Sequence, residues 1–283
     1  MGRIIEDIIN LDLYPIHELS GASTKRLIAD THAILEKDGC AVLKNFVKSS
    51  ALPSLVAEAD RASINAHATH NKTNVYFTKD NPDLPQNHPA RRYFDRSNAF
   101  IPADNFGEDS GLRAVYEFPS FAPFIRECLG ERLDRFFPYA DPLADVIVNM
   151  ADEGNGFPWH FDTNNYTVTL ALQNADEGGE FEYAPNIRTG DENFDEVARV
   201  LDGKSELVKT LVLEPGDLQI FKGRYSLHRV VPLKGSIRRY VAIFSYVEEP
   251  GMVGSVERTQ QLYGKTLPIH HERAGQRADA YID

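Results

Sequence analysis

Trp159-His160-Phe161-Asp162-Thr163-Asn164-Asn165-Tyr166-Thr167-Val168-Thr169-Leu170-Ala171-Leu172-Gln173 lies where the chain has taken on a new texture. Residues 166–173 read as a β-strand, and from about residue 140 onward the sequence period is two. Further strand candidates are Asp145–Ala151, Gly179–Tyr183, Val208–Leu213, Asp217–Phe221, Ser226–Val230 and Arg239–Val247. Turn signals separate them, at Glu177-Gly178-Gly179, Glu214-Pro215-Gly216-Asp217 and Lys234-Gly235. Many short strands at close spacing predict a sandwich or jelly-roll barrel. Residues 186–205 are acidic and weakly patterned, and read as an insertion between strands that is helical from Asp191 to Leu201.

Upstream, up to about residue 70, the texture is helical. Leu27, Ile28, Ile34 and Leu35 fall on one helical face, with Ser23 or Thr24 as N-cap and Gly39 just past the end. The short run Cys40-Ala41-Val42-Leu43 reads as a strand, and Leu52 to about Ala66 as a second helix. Residues 71–112 are rich in Asn, Asp, Pro and Arg with little periodicity, which predicts a long functional lid. Leu112–Leu129 reads as a helix that Pro119 and Pro123 must break or kink. Helices first and strands later predict a mainly β domain buttressed on one face by N-terminal helices. The expected organisation is a single domain, with a helical buttress and lid over 1–139, a jelly-roll core over 140–250 and a C-terminal extension over 251–283.

Composition narrows the function classes. The 283 residues carry 30 Lys+Arg against 42 Asp+Glu, a formal net charge of -12. So acidic a chain makes a poor general binder of nucleic acid or an anionic membrane, both of which need clustered positive charge. Two cysteines, Cys40 and Cys128, make no disulfide framework and suit a reducing compartment. No targeting signal or membrane-length apolar run is visible, so the expectation is a soluble, cytoplasmic protein acting on a small molecule. The oligomeric state is left open, a homodimer included.

The chemistry concentrates at His160 and Asp162. On a strand, residues two apart face one side, so both can reach one metal ion. His228, in Tyr225-Ser226-Leu227-His228-Arg229-Val230, supplies a third ligand from a different strand. Two imidazoles and one carboxylate on one face of a metal leave positions open, the facial arrangement of non-haem Fe(II) oxygenases. An isolated HxD is weak evidence in a chain with nine histidines. Two further features strengthen it. Arg238 and Arg239 start the last strong strand, where a guanidinium can bind a dicarboxylate bidentately. The tight turn at Pro215-Gly216-Asp217-Leu218 precedes the strand leading toward His228.

HxD, a distal His and a following Arg resemble the signature of Fe(II)/2-oxoglutarate-dependent dioxygenases on the double-stranded β-helix fold. Residues 159–170, Gly178–Arg188, Phe221–Val230 and the tail Arg258-Thr259-Gln260-Gln261-Leu262-Tyr263-Gly264 resemble the BesD-type group that acts on free amino acids. Halogenating members of that group carry a small residue where the metal carboxylate would be. This chain has Asp162 there, so the resemblance implies hydroxylation of an unactivated C–H bond, in a free amino acid such as lysine or another polar one. It also implies Fe(II), 2-oxoglutarate as cosubstrate and dioxygen, with Arg239 or Arg238 binding the far carboxylate of 2-oxoglutarate. Arg239 is preferred, because it matches the spacing such proteins often keep after the distal His. Competing outcomes are a desaturase or halogenase, a non-redox cupin-like metal protein and a 2-oxoglutarate sensor.

Other residues carry a functional and a bland reading side by side. Arg91, Arg92 and Arg96 sit in the expected lid beside Tyr93. Arg92 or Arg96 is the candidate for a substrate carboxylate, against a solvated basic cluster. Asp141 and Asp145 are candidates for a substrate ammonium, against acids facing water. Asn149, on the face of Asp145, is a candidate contact of 2-oxoglutarate, against a capped bulge. Thr163 and Asn164 are candidates for substrate contact or for orienting Asp162, against exposed loop positions. Trp159 is a wall of the site or simply core. His270-His271 is expected to be unrelated to the metal.

Overall fold

A computed structural model describes residues 5–273. Seven α-helices, α1 (Ala22–Asp38), α2 (Leu52–Ala62), α3 (Gly111–Tyr116), α4 (Phe121–Leu129), α5 (Phe194–Leu201), α6 (Val256–Tyr263) and α7 (Pro268–Glu272), accompany twelve strands among the described residues. The strands are β1 (Cys40–Leu43), β2 (His67–Thr73), β3 (Phe94–Ile101), β4 (Phe137–Pro138), β5 (Val146–Ala151) and β6 (Phe157–His160). They continue with β7 (Tyr166–Gln173), β8 (Phe181–Ala184), β9 (Lys209–Leu211), β10 (Leu218–Phe221), β11 (Leu227–Val230) and β12 (Arg239–Val247).

Strands β5 to β12 divide between two sheets in the manner of a jelly roll. The large sheet runs β1-β10-β7-β12-β5-β3-β2, with β4 on the end of β12, and the small sheet runs β6-β11-β8-β9. All pairings between named strands are antiparallel. The strand period then decides what faces what. Along β12, Tyr240, Ala242, Phe244 and Tyr246 point outward into a large core with Leu35 of α1, Leu55 of α2, Val115 of α3 and Phe121 of α4. Arg239, Val241, Ile243 and Ser245 point inward, into the space between the sheets. The expected helical buttress is therefore the covering layer of the large sheet. Each aliphatic or aromatic side chain buried there contributes about 1.5–3 kcal/mol. No described helix is long and apolar enough to cross a membrane.

Several expectations change. The N-cap of α1 is Gly21, and Ser23 and Thr24 lie inside the helix. Ile34 is 46% exposed, because Thr31 and Leu35 fill the buried face instead. The expected helix over 112–129 is two helices, broken ahead of Phe121 by Pro119, with Pro123 accommodated in the first turn of α4. The expected irregular lid shrinks to residues 74–93, since β2 and β3 form a hairpin that extends the large sheet. Polar strands such as His67–Thr73 escape a search for apolar alternation because exposed and covered residues interleave with few aliphatics. The 186–205 insertion does carry a helix, α5, which packs Val197 and Val200 over the small sheet with Trp159 and Phe161. Trp159 is therefore core.

Candidate functional site

His160 ends β6, and His228 lies directly opposite it on β11. This pairing converts two distant sequence positions into neighbours, with ring centroids 4.1 Å apart. Asp162 lies just beyond the end of β6, so the strand argument holds in its facing and not in its span. Alternation persists because other backbone partners hold the chain extended: Phe161 N–H donates to Val75 O at 2.9 Å and Asp162 N–H to Gly223 O at 3.1 Å. Trp159 and Phe161 turn into the core while His160 and Asp162 turn into the cavity.

The three ligand atoms lie within 4.8 Å of one another, and these residues form a metal-binding triad. Asp162 Oδ1 is 3.5 Å from His160 Nε2 and 3.4 Å from His228 Nε2. Each imidazole is held in the tautomer a metal needs. His160 Nδ1 lies 2.8 Å from Pro158 O and His228 Nδ1 2.9 Å from Ser226 O. A carbonyl only accepts, so Nδ1 carries the proton and the Nε2 lone pair is free. Burial and the neighbouring His228 push the His160 pKa down to about 4, while the two imidazoles hold Asp162 well below the usual carboxylate range. The Thr167 hydroxyl donates to the other carboxylate oxygen, Oδ2. Gly223 makes the close approach of Asp162 feasible: a Cβ there would stand 1.9 Å from Oδ2. Phe157 stacks on the His160 ring at 3.8 Å.

Two connected spaces meet at the triad. The deeper one, about 90 Å³, lies between the sheets and is lined by Asn149, Gln219, Phe221 and Arg239 besides the triad. Arg239 is buried and, among the described residues, has no ion-pair partner; burial pushes its pKa down to about 10. Its stem fits because Gly179 (φ +76°) has no side chain; a Cβ would lie 3.1 Å from Arg239 Cδ. Arg238 points the other way, into an exposed ion pair with Asp152 at 2.7 Å. Asn149 lies on the inward face of β5 beside β12, opposite Val241.

The shallower space, about 130 Å³, is lined by Phe77, Ile147, Phe157, Thr163, Asn164, Ile243 and Arg258. It adjoins an outer vestibule of about 550 Å³ that shares Phe77, Tyr139, Thr163, Asn164 and Arg258. The loop 74–93 supplies Phe77, whose ring lies 5.4 Å from that of His160. Phe77 has φ +60°, an uncommon conformation for a bulky residue. Buried Asn74 enforces it, donating to Thr78 O and Ala90 O and accepting from Tyr76 and Thr78 N–H.

The remaining candidates separate. Arg96, on β3, is 1% exposed; its Nε donates to Asn98 Oδ1 at 3.0 Å and both terminal nitrogens are buried without a hydrogen-bond partner. It lies 4.5 Å over the Phe157 ring, one ring behind His160. Arg92 is not brought to the site: it pairs with Asp202 at 2.8 Å, past the end of α5. Arg91 pairs with Asp80 at 2.9 Å. Asp145 is held by Arg113 through two bonds of 2.9 and 3.1 Å and does not line the spaces at the triad. Strand β5 begins one residue after it, so the face shared with Asn149 is never established. Asp141 does line the shallower space but is filled by His270 Nε2 at 3.0 Å and the N–H groups of Leu143 and Gly254. His270 thus serves as a clasp for the C-terminal segment. Sequence reasoning missed Phe77, Phe157, Thr167, Gly223 and the place of Arg258 in the lining. Of these only Gly223 left a signal, in the turn between Phe221 and Tyr225.

The family model of halogenase D matches residues 23–263. The chain belongs to the halogenase D family. No curated protein matches it. Solved structures resemble this halogenase D member in fold. The epimerase SnoN, in complex with ferric iron, α-ketoglutarate and nogalamycin RO, has TM-score 0.57 at 16% identity over 90% of this chain and 97% of its own. A prolyl hydroxylase from Trichoplax adhaerens, in complex with a hypoxia inducible factor peptide fragment, has TM-score 0.52 at 16% identity over 80% and 91%. HygX from Streptomyces hygroscopicus, with nickel, 2-oxoglutarate and hygromycin B bound, has TM-score 0.50 at 11% identity over 77% and 86%. The triad and the halogenase D membership together make the protein a metal-dependent enzyme.

Proposed function

We propose that the protein is an Fe(II)- and 2-oxoglutarate-dependent oxygenase that hydroxylates an unactivated C–H bond of a small metabolite, a free amino acid. One observation carries the reading: the space between the sheets joins the triad to a buried Arg239 that has no ion-pair partner among the described residues. A two-nitrogen, one-carboxylate donor set suits Fe(II) and leaves sites open, and an unpaired buried guanidinium calls for an anion. Iron bound there with 2-oxoglutarate and dioxygen supplies the oxidising power for C–H hydroxylation.

The chain's own residues do the rest. Arg239 binds the far carboxylate of 2-oxoglutarate, and Asn149 lends its amide from the adjacent strand. Thr167 and Gly223 fix the orientation of Asp162. Because that carboxylate occupies its position, the site favours hydroxylation over halogenation despite the family's name. Phe77 and Phe157 keep water from the His160 side, which protects an oxidising site from unproductive turnover. Arg96, which lines none of these spaces, adds positive charge from behind the Phe157 ring, with Thr163 and Asn164 at the rim.

Anaerobic addition of Fe(II) and 2-oxoglutarate should give a weak visible charge-transfer band. Arg239→Met should raise the 2-oxoglutarate concentration needed for it by about ten- to a hundredfold, the worth of one charge-assisted contact, while Arg238→Met should leave it unchanged. In air, an accepted amino acid should release succinate and gain one oxygen. If no amino acid stimulates succinate release while the band forms normally, the protein is a sensor and the oxygenase reading fails.

A further inference from the structure

The space above the triad is apolar where a substrate's reacting carbon must sit. Ile147 on β5 and Ile243 on β12 are paired in register and form its floor, with Ala144 and Phe157 beside them. Among the described residues, every acid facing this space is already engaged. Asp141 accepts from His270 Nε2 and two backbone N–H groups, and Asp162 is the metal ligand. Asp145, the neighbouring acid on the chain, is turned away to Arg113. A side-chain ammonium placed here would lose its hydration without gaining a carboxylate, whereas a methylene loses nothing. Glu257, exposed on α6, lines only the outer vestibule.

Positive charge lies at the junction of the two spaces. Arg258, on α6, lines both. Its Nη1 donates to Gln261 Oε1 at 3.0 Å, its Nε is buried without a partner, and its guanidinium lies 4.1 Å over the Phe77 ring. Arg96 lies 5.7 Å over the same ring. Two buried guanidinium groups sharing one ring repel each other, and burial pushes the Arg258 pKa down to about 10. A substrate carboxylate at Arg258, the one of the two that lines the spaces, would offset this repulsion.

We infer that the substrate is an amino acid with an uncharged aliphatic side chain, seated over the triad against Ile147 and Ile243, with its carboxylate held by Arg258. This inference rests on the oxygenase reading and narrows its substrate class; it replaces the expectation of lysine or another polar amino acid. The orientation is set by chemistry. The apolar floor is beside the metal ligands, so the aliphatic carbons are the ones presented for attack. The charged end stays toward the vestibule, where Glu257 and water meet the ammonium.

The test compares norleucine, norvaline and lysine, measured by calorimetry on the Zn(II)- and 2-oxoglutarate-loaded protein and by succinate release on the Fe(II) enzyme. Norleucine should exceed lysine by at least about tenfold in both readouts, and norvaline should lose about tenfold for its missing methylene. Ala144→Asp, and separately Ile147→Asp, should reverse the norleucine-to-lysine preference. Arg258→Gln should weaken norleucine about tenfold and leave norleucinamide unchanged. Lysine bound as tightly as norleucine by the unaltered protein overturns the inference, and that measurement does not depend on any variant folding. The charge-transfer band reports on the parent reading separately. A protein that shows the band yet prefers lysine keeps the oxygenase and loses the aliphatic substrate. A protein that binds norleucine preferentially but never forms the band loses the oxygenase and keeps the apolar pocket.

Discussion

The deep and shallow sides of the site are built by different means. Around Arg239 and Asn149, most side chains are placed by strand register: β5, β7, β10 and β12 are neighbours in one sheet, and alternate residues face inward. Around Phe77 and Arg258, the walls come from a loop over residues 74–93 and a helix near residue 260, held by side-chain contacts such as Asn74 with Ala90 O and His270 with Asp141. The regular side suits a cosubstrate that never changes. The irregular side can vary without disturbing the sheets, so it is the natural place for substrate choice.

Four substitutions probe this contrast, beginning with the largest effect. His228→Ala should abolish the charge-transfer band and reduce turnover by more than about a hundredfold, beyond what losses outside the ligand set cause. Retention of both would break the regular side of the comparison, since β11 would then contribute no ligand. Gly223→Ala places a methyl 1.9 Å from Asp162 Oδ2 and must displace the carboxylate. Metal affinity, measured by chelator competition, should fall about 10–100-fold with the helical and sheet content intact.

Arg96→Met should move stability and activity in opposite directions. Its two buried terminal nitrogens have no hydrogen-bond partner, a cost of about 1–3 kcal/mol that the variant removes. The thermal midpoint should rise by at least about 2 °C, at roughly 2–4 °C per kcal/mol for a domain of this size, while the specificity constant falls about tenfold. A variant that loses both would make Arg96 structural. Thr167→Val is the mildest: it removes only the hydroxyl that donates to Asp162, and a loss of about tenfold or less in metal affinity should follow. A null effect would show that Gly223 alone orients the carboxylate.

Legibility followed the same division. The strands over 166–173 and 239–247 agree with their sequence boundaries because both are buried on two faces and rich in β-branched or aromatic residues. The triad was legible because HxD needs only local alternation, and His228 sits on a strand that the same pattern reveals. Asn149 was named for a face shared with Asp145; it does line the deeper space, but Asp145 does not. Arg96 was named among three arginines, but nothing in Arg91, Arg92 and Arg96 says which one is buried. Arg92 and Asp145 were plausible for the same reason and went elsewhere, to Asp202 and Arg113, partners remote along the chain.

The sequence by itself determined the jelly-roll texture, the helical buttress and the three metal ligands, because each depends on a period or spacing that the chain repeats or states locally. Only the tertiary structure decided which arginine stays unpaired, which acids are already filled and what lines the space over the metal. Charge pairing and burial are settled between residues 30 to more than 100 positions apart, as for Arg113 with Asp145 and Asp141 with His270, and no local pattern in the chain encodes those meetings.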